Sequence, residues 1–277
     1  MKIAFCTCVQ LGLSCIEKIH DLGVEFDLLI TLKDSKAQAK SGRIYLDDFA
    51  KQAKVDLLKI DHINDQEVID TLVKREIDWL FIIGWSQIAN SELLDSVKKG
   101  VLGAHPTLLP VGRGRASIPW AIIKGLDKTG VTLFKLDTGV DTGPVCAQVE
   151  IPLNAKETAT SLYKKVNDAH IELIELAMQG LANNTLEMVI QDEEQATIWD
   201  GRTPADGLLT ESMRVEEVDR LVRATTTPYP GAFIDKGDSK LIIWDGTIAS
   251  NVSAPDSLTI EFADGPYTAT QWETVKY

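Results

Sequence analysis

Four shortages narrow what this 277-residue chain can be: few cysteines, few basic residues, no long apolar run and no glycine cluster of the dinucleotide-binding kind. A membrane-crossing helix needs about 18 or more consecutive apolar residues, and no segment supplies them. The opening MKIAFCTCVQ holds one lysine and soon turns polar, unlike a secretory leader, so a cytoplasmic protein with no membrane partner is expected. Cys6, Cys8, Cys15 and Cys146 have no second Cys/His pair at zinc spacing and no secretory context. They read as buried free thiols, and no metal is expected. With 28 Lys+Arg against 41 Asp+Glu, a net charge of −13, the chain lacks the cationic surface with which proteins neutralise nucleic-acid phosphates, so no nucleic-acid partner is expected. A small substrate whose phosphates meet a few placed arginines suits that balance better. The loop after the first expected strand, Thr7-Cys8-Val9-Gln10-Leu11-Gly12, lacks the glycine spacing that brings backbone against a pyrophosphate, which argues against NAD or FAD.

What is present is a strand and helix alternation over an apolar content of 44%, enough for one sizeable α/β core and a smaller module. Apolar runs predict strands over Lys2–Cys8, Phe26–Leu32, Asp56–Ile60, Asp78–Ile83 and Gly100–Ala104. Helical spacing predicts helices over Leu11–Leu22, Ile44–Ala53, Asp65–Lys74 and Ser91–Val97. Further strands are expected at Gly130–Leu136 and Pro144–Ile151, then a long helix, Thr158–Gly180, closed by its glycine. After Asp200 the texture changes to a turn-rich stretch, a helix at Arg214–Ala224 and short strands at Gly231–Ile234, Lys240–Trp244, Ser257–Phe262 and Pro266–Trp272. The expected architecture is a Rossmann-like, doubly wound, mostly parallel sheet over residues 1–200, followed by a small β-rich, OB-like domain over 203–277.

Such a sheet places its site at the carboxyl ends of the strands. There the chain reads Gly84-Trp85-Ser86-Gln87-Ile88 after Ile83, His105-Pro106-Thr107-Leu108-Leu109-Pro110-Val111-Gly112-Arg113-Gly114-Arg115 after Ala104, and Asp137-Thr138-Gly139-Val140-Asp141-Thr142-Gly143-Pro144 after Leu136. Prolines stiffen the second loop, and glycines let backbone approach a flat ligand. A histidine and a carboxylate brought together here could move a proton and stabilise developing charge.

These segments resemble the folate-dependent formyltransferases, which share a His-Pro/Gly-Ser/Thr-Leu-Leu-Pro loop, a Thr-Gly-Val-Thr strand and an Asp-Thr/Ala-Gly loop. Here they stand as His105–Pro110, Thr129-Gly130-Val131-Thr132 and Asp141-Thr142-Gly143, in that order. The similarity continues through Arg202-Thr203-Pro204-Ala205-Asp206-Gly207 and Pro228-Tyr229-Pro230-Gly231-Ala232-Phe233, so it covers most of the chain. It implies an N-formyltransferase using 10-formyltetrahydrofolate, with His105 and Asp141 catalytic. The pterin would lie against Trp85, Ser86, Gln87, Ile88, Leu109, Asp137, Gly139, Val140 and Asp141; Trp85 and Gln87 read equally well as packing residues.

Arg113-Gly114-Arg115 followed by Trp120 is similar to the amino-sugar branch, where two guanidiniums could fork onto the diphosphate of a nucleotide-sugar, with Thr107 also at the acceptor. Ser41–Asp48 has the same character. The acceptor so implied is a nucleotide-linked amino sugar, a cell-surface or flagellar glycan precursor such as the pseudaminic acid type. Residues 201–277 carry seven Lys/Arg against twelve Asp/Glu, five more acidic than basic, which counts against the methionyl-tRNA branch. One position departs from the pattern. Most transferring relatives have an asparagine two residues before the histidine to polarise the formyl oxygen, and here Gly103 stands there. Removing one such donor from another enzyme cost about 3 kcal/mol. A backbone N–H, a water or protonated His105 would have to replace it. Hydrolysis of 10-formyltetrahydrofolate, or binding without turnover, is the alternative. Exposed strands of the second domain could pair two copies into a homodimer.

Overall fold

A computed structural model describes residues 1–39, 42–248 and 257–277. The chain opens as β1 (Ile3–Cys6), α1 (Gln10–Asp21), β2 (Leu28–Leu32), α2 (Asp47–Ala53), β3 (Leu57–Ile60), α3 (Gln66–Arg75), β4 (Trp79–Ile82), α4 (Ser91–Asp95) and β5 (Gly100–His105). It continues through β6 (Arg113–Gly114), α5 (Ser117–Ile123), β7 (Lys128–Lys135), β8 (Val145–Pro152), α6 (Ala159–Asn183) and β9 (Ile198–Trp199). It ends with α7 (Val215–Thr225), β10 (Ala232–Asp235), β11 (Ser239–Thr247), β12 (Leu258–Phe262) and β13 (Gly265–Lys276).

The main sheet has the order β3-β2-β1-β4-β5-β7-β8. Its first five strands pair in parallel, and β7 runs antiparallel to β5 with His105 opposite Thr132. All four residues of β1 and of β4 are buried, the signature of strands covered on both faces, and this is why their sequences are continuous apolar runs without alternation. On one face Ala4, Cys6, Ile30, Leu80 and Val101 meet Val68, Leu72 and Leu93 of α3 and α4. The Phe5 and Phe81 rings stack at 5.7 Å. Burial pushes the Cys6 and Cys15 thiols well up, so they pack as inert apolar groups. The strand order reverses direction between β1 and β4, which sets the ends of β1, β4 and β5 beside one another.

Three expectations change. The helix expected from Ile44 begins at Asp47, because Arg43 bridges Val9 and the Ile44 N–H donates to Cys8 O at 3.0 Å. Ser41, from the same block, lies outside the described residues. The long helix passes Gly180 and runs to Asn183, with Asn184 in the left-handed region at φ 54° as its stop. Gly180 instead makes room for the returning Leu186, whose Cβ would lie 3.2 Å from an added methyl. Helix α5 was not expected; Pro119 falls in its first turn, where a missing N–H costs nothing.

Close packing divides the chain into two units. One holds Met1–Arg113, Gly130–Glu150 and Val166–Ile198. The other holds Gly114–Thr129, Ile151–Lys165 and Trp199–Tyr277, and so includes all of 203–277. The second unit carries an antiparallel sheet of order β10-β11-β13-β12, with α7 packed on it through Val218, Leu221 and Val222 against Ala232, Ile243, Tyr267 and Ala269. Each such fully buried valine or leucine contributes about 1.5–3 kcal/mol relative to exposure. Among the described residues no helix is long and apolar enough to cross a membrane.

Candidate active site

Strand β5 delivers His105 at its last position, 8% exposed. The ring Nε2 lies 2.8 Å from Gly112 O. A carbonyl oxygen only accepts, so Nε2 carries a hydrogen and Nδ1 is left as the nitrogen that can take up or release a proton. Nδ1 faces Asp141 Oδ2 at 3.5 Å, longer than the roughly 2.7–3.2 Å of a good N–H···O bond. Asp141 itself sits in the left-handed region at φ 56°, which aspartate and asparagine adopt more readily than other side-chain-bearing residues. The following Gly143 packs so close to Lys135 O that no side chain fits.

The other expected site residues separate into groups. Ile88 and Val140 are 62% and 51% exposed, apolar surfaces open to a ligand. Ser86 and Gly139 are exposed beside them. Gln87, by contrast, spends its side chain on the framework: Oε1 accepts from Ile63 N at 2.8 Å and from Trp85 Nε1 at 3.2 Å, and Nε2 donates to Asp61 O at 3.0 Å. Trp85 packs partly buried against the core. Leu109 is 4% exposed, its N–H on Thr132 Oγ1 and its carbonyl on Gln148 Nε2, so it supports the loop from within. Asp137 Oδ1 ties its own loop, accepting from Gly139 N at 3.0 Å and Thr142 Oγ1 at 2.6 Å. Thr107 is buried, and its hydroxyl has no partner among the described residues.

The expected arginine pair does not act as a pair. Arg113 is 5% exposed, and its guanidinium is taken by Glu193, at 2.8 and 2.7 Å, and by Gln191 Oε1, at 3.2 and 2.9 Å. The Glu193 contact raises Arg113 above its ordinary pKa and lowers Glu193 below the carboxylate range. Only Arg115 is exposed. In the second unit Trp120 donates its indole N–H to Asp200 O at 2.8 Å, with Arg202 at 4.9 Å and Lys124 at 5.4 Å over its ring.

At Gly103 the reason for a glycine is visible. A Cβ there would lie 2.6 Å from Leu136 Cδ2 and 3.2 Å from its Cγ, so an apolar side chain fills the space where the resemblance places a polar one. Gly103→Asn is therefore expected to destabilise the protein by about 1–3 kcal/mol. Measured by thermal unfolding, the double variant Gly103→Asn/Leu136→Ala should lose clearly less than the two single changes added together, because they share one volume.

His170, in α6, is buried and donates from Nδ1 to Val166 O at 2.7 Å. Burial, aided by the charge of His105, lowers its pKa from the ordinary histidine value of about 6.5 to about 4. The unfolded chain therefore binds this proton first as pH falls. Stability is lost from about pH 6.5 down to pH 4, to a total of about 3 kcal/mol. Urea unfolding across that window should show a shallower pH slope in His170→Gln.

Sequence reasoning missed the segment that backs the site. Thr197 Oγ1 accepts from Gly112 N at 2.8 Å, directly behind the carbonyl that holds His105, and the 6%-exposed Gln191 donates to Asp141 O and Gly143 O at 2.8 and 2.7 Å. The targets are backbone N–H and carbonyl groups, which leave no pattern in the sequence.

A family model described as formyl transferase matches residues 8–178, and one described as formyl transferase, C-terminal domain, matches 202–270. Similar solved structures include an N-formyltransferase from Helicobacter canadensis in complex with folinic acid and dTDP-3-aminofucose. It is 18% identical with TM-score 0.71, and the match covers 99% of this chain and 100% of that one. The methionyl-tRNA formyltransferase from Clostridium thermocellum is 16% identical with TM-score 0.65 over 100% of both chains. WlaRD, a sugar 3N-formyltransferase in the presence of dTDP and 5-N-formyl-THF, is 18% identical with TM-score 0.69 over 98% and 97%.

Proposed function

The chain belongs to the formyl transferase family, and from that premise we propose that it transfers the formyl group of 10-formyltetrahydrofolate to the amine of a nucleotide-linked amino sugar. The observation that carries the proposal is the His105 imidazole held against the Asp141 carboxylate at the open end of β5. An amine attacking the formyl carbon sheds one proton, and the folate nitrogen that leaves takes one up, so a single group that accepts and returns a proton serves both steps. His105 Nδ1 is placed for this. Ile88 and Val140 offer apolar surface to the pterin, and the backbone of Ser86 and Gly139 lies beside them for its polar edge. Arg115 takes the diphosphate. An acceptor of this class is what the Helicobacter canadensis enzyme holds, and the acidic stretch 201–277 disfavours tRNA. The reading carries a cytoplasmic location, where reduced folates and nucleotide-sugars are made, and a homodimer formed through an edge of the second sheet, at β10 or β12.

Leu136 against Gly103 favours a second reading. With no side-chain donor at that position, water could replace the amine and formate would be released. Incubation with 10-formyltetrahydrofolate and a panel of UDP-, dTDP- and CMP-linked amino sugars, including one of the pseudaminic acid type, separates the two. The proposal expects at least one sugar to accelerate folate consumption and to gain a formyl group. Consumption no faster with any sugar than with water rejects it, and acceptor-independent formate release selects hydrolysis.

A further inference from the structure

We infer that Gln191, held from behind by Arg113, is the positioning residue for the Asp141 carboxylate; this rests on the reading that His105 and Asp141 carry the reaction. The Gln191 amide is used to its full capacity. Nε2 donates one hydrogen to Asp141 O at 2.8 Å and the other to Gly143 O at 2.7 Å. Oε1 accepts from Arg113 Nε at 3.2 Å and Nη2 at 2.9 Å. Turning the amide over would set its oxygen against two carbonyls and its NH2 against a guanidinium, so the network admits one orientation.

The two carbonyls it grips belong to Asp141 and Gly143, so the clamp spans the turn that begins in the left-handed backbone of Asp141. A short loop held from its own backbone in this way keeps the carboxylate aimed, although Asp141 Oδ2 has only a 3.5 Å contact with the ring it serves. Arg113 cannot be replaced by a mobile surface cation. Its guanidinium is buried and presents one edge to Gln191 and another to Glu193, a forked geometry that a lysine lacks. The same stretch reaches the other catalytic group. Arg113 N donates to Thr197 O at 2.9 Å, and Thr197 Oγ1 holds Gly112 N, whose carbonyl holds His105 Nε2. Residues 191–197 therefore brace acid and imidazole together, one through each end. Displacement of reacting groups by about 1 Å costs on the order of a hundredfold in rate, which is what such bracing protects against.

Two substitutions isolate the effect. Gln191→Glu keeps the shape and the Arg113 contact but removes both donations, and Gln191→Met removes the polar contacts altogether. Each is expected to lower kcat for 10-formyltetrahydrofolate turnover by about tenfold to a hundredfold, with KM for donor and acceptor changed by less than about threefold. Arg113→Lys should lower kcat in the same direction. The deciding measurement is Gln191→Met placed in an Asp141→Asn background, with Gln191→Glu used there if the methionine variant does not fold. A residue acting through Asp141 should then cost less than about twofold more, whereas a residue that merely holds the fold together repeats its full loss. Full additivity, or a loss carried by KM, overturns the inference. Full activity of Asp141→Asn alone overturns the active-site reading instead, so the two failures are told apart.

Discussion

Replacing His105 by alanine is expected to lower turnover of the formyl donor by at least about a hundredfold in a protein that still folds. The size follows from what the ring does. With Nε2 held on Gly112 O, Nδ1 is the ring nitrogen that can exchange a proton at the end of β5, and His170 cannot stand in, since it is kept neutral within the core. The change also frees the Gly112 carbonyl. That group sits at a loop whose N–H stays bound to Thr197 Oγ1, so the loop should keep its course and the loss should fall on kcat rather than on folding. Wild-type rates in a folded His105→Ala protein, followed by donor consumption and product analysis, would move the chemistry to another part of the molecule.

Asp141→Asn should cost at least about a hundredfold as well, and it is the cleaner experiment. Asparagine tolerates the left-handed backbone at φ 56° as well as aspartate does, and the clamp on the loop grips main-chain carbonyls that the substitution leaves in place. What changes is one negative charge, with an amide oxygen or NH2 facing the ring in its stead. A loss of kcat with circular dichroism and melting unchanged would assign the effect to charge. Unchanged rates would show that the ring works without the carboxylate.

The parallel half of the fold was legible because strands buried on both faces are written as uninterrupted apolar runs, and those of β1, β4 and β5 appear as such. Helix boundaries were less so. Ile44 looks helical by spacing, but its N–H is drawn to Cys8 O beside the Arg43–Val9 bridge, a contact of long sequence separation that overrides local preference. The meeting of His105 and Asp141 was foreseeable from the rule that sites form at the ends of parallel strands, together with the loop motifs. The fate of Arg113 was not. As a sequence it is one of two arginines around a glycine, and only the approach of Gln191 and Glu193, some eighty residues later, turns it inward. Gly103 announced itself by its departure from a pattern, whereas its partner Leu136 gave no sign, since nothing in the chain says which neighbour will occupy a vacated volume.

The second compact unit takes in residues 114–129 and 151–165 along with the C-terminal stretch, and this bears on modularity. Helix α5 lies against α7, and Ile123 packs on the cluster built from Val218, Val222 and Ile243. An excised fragment beginning near residue 203 would leave that apolar side of α7 naked to water and prone to self-association. Chimeras that graft this tail onto another N-terminal unit should succeed only when α5 travels with it, so the natural crossover for recombination is a pair of segments rather than a single cut.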